Sequence, residues 1–508
     1  MTGPERCDLC TRKGASQRRL QTSTRANQSC TAGATTLEVS EAGLEREALG
    51  APVTPAQSSR ARTHARMHES GDFDALSLTH IVWSLGRLRY VPSRTWLRAV
   101  AGMSVSEALL RTYEPAHVVA LVEGLAAIGY KPREQITYAI MAVMQRQMRS
   151  FTPNQLCTLM FAMASLSRWK PYRALLFDFA SSLQRLAPGL TATQASQVLW
   201  AFATFKYLPD PRVTGPLLAR VQAYVSQGSP SSLSMCLWAL GVFKLQPGQA
   251  WLDAWQASAV RQLDAFAAPD LAYSLQGFAV LDTPPSGDFM RASLAVVSAR
   301  LPTFSCPELS AVAAALADLR YRPPDAWLLP FAEEARARLP GFELSHLGPL
   351  VYGMASLGTP LGDDWLEAFG RECVRKLGAS REGESLGLML WGMAMYDFLP
   401  DARKWWEPFY RETDRSWDLC TGKSLVLMAV ALGSLEGSMG QADAPTAIWR
   451  RSLVKGLKLR LTKPDSSAGV LATFLDAGGL DITDLPESQW LQLVMMQLTQ
   501  AWGLAYAT

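Results

Sequence analysis

Histidine is scarce in this chain. Its 508 residues include 5, and only His80, His117 and His346 fall in the main body, far apart in sequence. A nucleophile–base pair therefore has no obvious home. There is no Walker-type phosphate loop, no H-E-x-x-H and no kinase Gly-rich or catalytic loop. Paired carboxylates such as Asp363-Asp364 read as a helix start or a solvated face, so no enzymatic activity is expected. No apolar run reaches the ~18 residues needed to span a bilayer, and no membrane partner is expected. Charge of one sign is not in large excess: 49 Lys and Arg against 45 Asp and Glu leave +4, so the whole molecule is not a strong polycation. The 8 cysteines show no framework spacing and read as reduced, mostly buried small hydrophobes. Cys7-x2-Cys10 and His64-x3-His68 each match half of a zinc pattern. The gap between them is far longer than a finger loop, so no metal and no cofactor are expected.

A recurring phrase fills most of the chain. Leu237–Trp251 reads LWALGVFKLQPGQAW, and Val82–Trp96 (VWSLGRLRYVPSRTW) and Ala313–Trp327 (AAALADLRYRPPDAW) repeat it. The large residue before the small-aliphatic-small run serves as a marker. It falls at Trp83, Glu123, Phe161, Trp200, Trp238, Gln276, Ala314, Tyr352, Trp391 and, less clearly, Met428. The gaps are 40, 38, 39, 38, 38, 38, 38, 39 and 37. A period held this tightly marks a repeat array rather than a set of separate globules.

Each period predicts two helices. The first carries apolar residues at helical spacing, with core offsets from the marker of −5, −1, +2, +3 and +6. The position after the marker is nearly always small (Gly124, Ala162, Ala201, Ala239, Gly277, Gly353, Gly392), which predicts close approach of two helices. A proline about nine residues on stops the first helix and is expected at the first turn of the second. A Trp or Phe four or five residues further on opens the second helix. Links such as Phe151-Thr-Pro-Asn-Gln-Leu and Phe304-Ser-Cys-Pro-Glu-Leu predict capping boxes, Thr152 with Gln155 and Ser305 with Glu308. No alternating strand pattern competes. The expected fold is all-α, an α-solenoid of ten to eleven 38-residue helix-turn-helix units.

The period, the small-residue helix, the proline-to-Trp phrase and the Phe-x-Pro-x-x-Leu link together resemble the octotricopeptide repeat family over about residues 74–500. That family is known mainly from green algae and is related to the repeats of the FAST kinase domain-containing proteins. The resemblance implies a helical, sequence-selective RNA binder of chloroplasts or mitochondria, acting in processing, stability, splicing or translation of particular transcripts. No C-terminal RAP-type domain is recognised, which removes the usual basis for expecting a nuclease.

The array offers a mechanism for such binding. Offsets −3, +1 and +4 share a face away from the core and vary from repeat to repeat. A fixed scaffold presenting one set of variable side chains per unit is what a base-by-base reader of single-stranded RNA needs. The candidate RNA-binding residues are His80 and Gln197 at −3, Arg87, Ser165 and Thr204 at +4, and the helix-end cations Arg89, Lys131, Arg168, Lys206, Lys244 and Arg320, which suit phosphates. A cation at a helix C-terminus is also favoured by the helix dipole, and the preference for Arg over Lys suits RNA and a GC-rich genome equally. Tryptophans at the marker and in the second helix read as core. Acidic residues crowd the later repeats: Glu333, Glu334, Asp363, Asp364, Glu382, Glu384, Asp397, Glu407, Glu412 and Asp414. These suit a protein partner better than phosphate.

Residues 1–35 are rich in Arg, Ser, Thr, Gln and Ala and resemble an organelle presequence. Residues 36–73 read as a disordered linker, 74–434 as the solenoid, 435–445 as an irregular insertion and 446–508 as degenerate terminal repeats. Single-stranded RNA, an organellar transcript or rRNA, is the expected partner, together with proteins of a ribonucleoprotein assembly. The chloroplast stroma is the expected compartment, with the mitochondrial matrix as the alternative. The competing reading is a protein-interaction scaffold in an organellar complex.

Overall fold

A computed structural model describes residues 74–166, 169–378, 381–398, 402–435 and 445–461. The presequence, linker and insertion readings, the two half-zinc patterns, Arg168 and the final repeat after 461 lie outside the described residues. Among the described residues there are 21 α-helices and no strand, as an all-α solenoid requires.

The chain divides into two compact units, 1–189 and 190–508. In the first, α1 (Ala75–Arg87), α4 (Pro115–Ile128) and α6 (Pro153–Ser165) are first helices of a repeat, called A here. Their B partners are α2 (Arg94–Met103), α5 (Glu134–Arg146) and α7 (Arg173–Leu186). A short extra helix, α3 (Glu107–Thr112), lies in the link between the first two repeats and accounts for their longer gap. In the second unit the A helices are α8 (Ala192–Thr204), α10 (Pro230–Val242), α12 (Ala268–Val280), α14 (Cys306–Asp318), α16 (Leu344–Ser356), α18 (Gly383–Met395) and α20 (Gly422–Leu435). The B helices are α9 (Pro211–Ala223), α11 (Gln249–Arg261), α13 (Gly287–Ala299), α15 (Asp325–Ala337), α17 (Asp363–Lys376), α19 (Ala402–Ser416) and α21 (Ala447–Leu461). Within each unit, successive A helices lie against one another along their lengths, while successive B helices touch sparsely. Each stack therefore curves with its A layer inside.

The close approach comes from the small residues. A Cβ placed on Gly124 would lie 2.7 Å from the carbonyl carbon and oxygen of Val82, and one on Gly277 would lie 3.0 Å from the Leu237 carbonyl carbon. The position after the marker thus packs on the backbone of the preceding A helix. It does not belong to the variable face on which the sequence reading had set it. Only residues with little or no side chain fit there, because interiors pack at crystal-like density and have no slack for a methyl group.

Both predicted capping boxes form. The Thr152 amide donates to Gln155 Oε1 at 2.9 Å and the Gln155 amide to Thr152 Oγ1 at 3.3 Å. The Ser305 amide donates to Glu308 Oε2 at 2.6 Å. Thr152→Ala is expected to cost about 1 kcal/mol, read as faster amide hydrogen exchange in α6.

Other expectations need correcting. The phrase proline does not enter the second helix. Pro92, Pro209 and Pro285 precede the N-caps Ser93, Asp210 and Ser286, whose side chains accept from helix amides. Proline's restriction of its own φ and of the preceding residue keeps the chain extended into the cap. Seven of the polar links begin as a 3₁₀ turn, for example Leu263–Ala265, Leu301–Thr303 and Leu339–Gly341, each of these three with its leucine buried. The tenth repeat registers at Val430, not Met428. Counting from the N-cap, the marker is the ninth residue on in α18 (Glu382 to Trp391), and the mutual bonds of Thr421 and Ser424 set the start of α20.

The repeats are latched at their outer ends. In repeats five to eight a long polar residue closing the B helix donates to main-chain carbonyls in the link before its own repeat. Gln262 reaches Gly228 O at 2.9 Å. Arg300 reaches Phe266 O at 3.1 Å and Asp264 O at 2.7 Å. Arg338 reaches Pro302 O at 2.6 Å, and Lys376 Nζ reaches Leu339 O at 2.8 Å. Much of the arginine in this chain therefore serves the scaffold rather than a ligand.

Candidate nucleic-acid interface

At about 100° per residue, offsets −7, −3, 0 and +4 fall in one stripe along each A helix. This stripe is the inner surface of the A layer. Its two ends are open: Asn154, Thr193 and Ser231 at −7 are exposed, as are Arg87, Ser165, Asp318 and Ser356 at +4. From the second repeat on its middle is half-buried or buried, with Gln197 at −3 and Trp238 at the marker half-buried. The −7 position varies as much as +4 but escapes a sequence reading centred on the marker, since it lies among the capping residues.

Of the marker tryptophans Trp200 and Trp391 are buried, as core residues should be, while Trp238 is half-buried and Trp83 exposed. In the B helices Trp96, Trp365, Trp405 and Trp449 are buried. The Trp365 indole donates to Ala332 O at 2.9 Å, and the half-buried Trp327 indole to Leu294 O at 2.9 Å. On the A face, Trp83 is 37% exposed and donates to Glu123 Oε2 at 3.1 Å. In the second unit Trp200, Trp238 and Tyr273 form one aromatic cluster, with ring centroids 5.6–6.5 Å apart.

Offset +6 is not core. Most A helices end two residues earlier, at +4, and the +6 residue adopts the left-handed conformation. Arg89, Lys206, Lys244 and Arg320 have φ of 54°, 52°, 54° and 54°, and Asp282 and Asp397 have 51° and 48°. Glycine fills the same place at Gly129 and Gly358. The hydrogen bonds are those of a Schellman turn: the Lys244 amide donates to Gly241 O at 2.9 Å and the Leu245 amide to Leu240 O at 3.0 Å. A Cβ here costs on the order of 1 kcal/mol relative to glycine. Four of the candidate cations therefore occupy strained, exposed positions at equivalent points beside the +4 residues. Lys131, two residues beyond Gly129, does not share the position, although it too is exposed.

The remaining candidates fall as follows. His80 is exposed at −3. Arg87 lies over the Trp83 ring at 5.6 Å from its centroid. The Ser165 hydroxyl donates to Phe161 O and the Thr204 hydroxyl to Trp200 O, both at 2.9 Å. These two hydroxyls present lone pairs outward, so they accept rather than donate toward a ligand. His80, Arg87, Arg89, Lys131 and Ser165 belong to the first unit, and Gln197, Thr204, Lys206, Lys244 and Arg320 to the second.

The acidic crowding of the later repeats is mostly a B-layer property. Glu333, Glu334 and Glu412 pair with Arg336, Arg338 and Arg415 on their own helices. Of the acids named above, Glu384 at −7 and Asp397 at +6 belong to the A face. Asp318, at +4 of repeat seven, accepts from the Tyr352 hydroxyl at 2.9 Å and from Lys423 Nζ at 2.8 Å. Lys423 also stands over the Tyr352 ring, 4.2 Å from its centroid. Burial works against the Lys423 charge, but Asp318 and Tyr352 outweigh it and hold the ammonium pKa above its ordinary value. Burial also raises the Tyr352 phenol, and the neighbouring Asp318 carboxylate adds to this.

Among the described residues, no group of three or more His, Cys, Asp or Glu could hold a metal ion, and no helix is long and apolar enough to cross a membrane. The five described cysteines are free, and burial pushes the Cys157 thiol up to about 12.

Residues 179–322 match the family model of the Tbc2 translation factor, N-terminal domain, a little over a quarter of the chain. No curated protein matches the chain.

Proposed function

We propose that this chain is an organellar RNA-binding protein. It holds single-stranded RNA along the A-helix face and thereby controls the translation, processing or stability of a chloroplast transcript, or failing that a mitochondrial one. The observation that carries this reading is the stripe at −7, −3, 0 and +4. One variable set of side chains per repeat stands on a scaffold whose seams and caps repeat almost without change. The strained cations at +6 add phosphate contacts beside it. The match of residues 179–322 to a translation factor domain supports the translational end of this range. The resemblance of the repeat phrase to the octotricopeptide family supports sequence-selective binding. The protein works by occupancy, without catalysis of its own.

The test is crosslinking of the organelle-localised protein, followed by sequencing of the retained RNA. A narrow footprint in one or two transcripts is expected, on the order of ten nucleotides if each unit reads one base. Recovery of no RNA above background overturns the reading and leaves a protein held on the same face.

A further inference from the structure

Lys423 stands at −7 of repeat ten, and its partner Asp318 at +4 of repeat seven. The two are 105 residues apart in sequence, yet joined at 2.8 Å. The bridge runs diagonally over the inner face of repeats eight and nine, where the Tyr352 ring lies directly beneath the ammonium. Along that stretch the middle of the stripe is closed: Leu388 and Trp391 are buried, and the Tyr352 and Trp391 rings are 5.3 Å apart. Among the described residues no ion pair of this kind crosses repeats four to six, where Thr204 and Val242 at +4 are half-buried and Val280 is exposed.

We infer that the Lys423–Asp318 bridge closes the RNA track, so that in the second unit repeats four to seven hold RNA and repeats eight and nine read no bases. This rests on the RNA reading proposed above. A strand lying along the stripe meets a neutralised ion pair and a phenol in place of open side chains. To continue it must break two hydrogen bonds to one carboxylate. Asp318 is thus withdrawn from base reading, and Ser356 and Met395, though exposed at +4, lie beyond the barrier.

The experiment selects RNA from a randomised single-stranded pool with the full-length protein and with its variants. Thr204→Val and Val242→Thr are each expected to change base preference at one position of the selected motif, by roughly tenfold. Ser356→Asn and Met395→Gln are expected to leave the motif unchanged. Lys423→Met, which keeps the stem over the Tyr352 ring and removes the charge, is expected to lengthen the motif and to make the Ser356→Asn change visible. Asp318→Asn serves as a second way of opening the bridge, and thermal melts establish that both variants fold. A motif altered by Ser356→Asn or Met395→Gln in the otherwise unchanged protein overturns the inference while the RNA reading stands. A motif of unchanged length in both Lys423→Met and Asp318→Asn overturns it too. A pool that yields no enriched sequence removes the RNA reading and this inference together.

Discussion

Gly353→Ala is expected to destabilise the second unit by about 3 kcal/mol, toward the upper end of what one added methyl group costs in a packed interior. The new Cβ would sit 2.6 Å from the carbonyl oxygen of Ala313. The obstacle is main chain on the neighbouring A helix, which cannot rotate away as a side chain would. Relief requires α14 and α16 to separate, and every seam contact along both helices weakens with them. Gly387→Ala meets the Ser424 carbonyl oxygen on α20 in the same way and should behave alike. Gly102→Ala is the matched control. It lies in α2 with nothing within 4 Å of the added atom, and is expected to be neutral or stabilising by up to ~1 kcal/mol through helix propensity. Urea unfolding, with hydrogen exchange to localise the change, measures all three. Equal midpoints for Gly353→Ala and Gly102→Ala would show that the seams are not the tight contacts described.

The double variant Lys206→Gly, Lys244→Gly is expected to move stability and RNA binding in opposite directions. Glycine relieves the left-handed backbone at both sites. The gain is about 0.5–1 kcal/mol each, since glycine's larger unfolded-state entropy returns part of the relief. If each lysine neutralises one phosphate, binding loses about 0.7 per site from the slope of log affinity against log salt concentration. That corresponds to roughly tenfold weaker binding for the pair at moderate salt. Asp282→Gly is the counterpart: it relieves the same strain and should stabilise without weakening RNA binding. A salt slope unchanged in the double variant would mean that these lysines are strained for some other reason.

What the sequence discloses and what it hides follow from the range of each interaction. The period, the capping boxes and the small residue after the marker are legible because their causes are local. A threonine three residues before a glutamine predicts its own hydrogen bonds, as at Thr152 and Gln155. The end of the A helix is misjudged by two residues, because a Schellman turn depends on a left-handed residue and lysine or arginine does not announce one as glycine does. Extending the helical wheel through +6 counts that position as core, although Lys206 and Lys244, which occupy it, are themselves phosphate candidates. The core reading of the marker tryptophans holds at Trp200 and Trp391 and fails at Trp83, because burial of the stripe depends on how closely neighbouring A helices crowd, which no single repeat encodes. Lys423 is invisible for the same reason. Its role comes from curvature accumulated over three repeats, and no local pattern joins it to Asp318.

The latches at the outer ends of the B helices bear on how such an array changes over generations. Gln262, Arg300, Arg338 and Lys376 all donate to main-chain carbonyls of the preceding link, and every residue has a carbonyl. The receiving repeat therefore needs no particular side chain to be joined. A unit can be duplicated, deleted or exchanged without a compensating substitution next door, and the array can gain or lose length in single steps of its own period. Repeats whose inner stripe carries long-range partners, such as seven and ten, are the exception: moving either one would strand the other's charge. Repeats four to six are tied more loosely, through the Trp200, Trp238 and Tyr273 cluster, so exchange there has only to keep aromatic residues on the stripe.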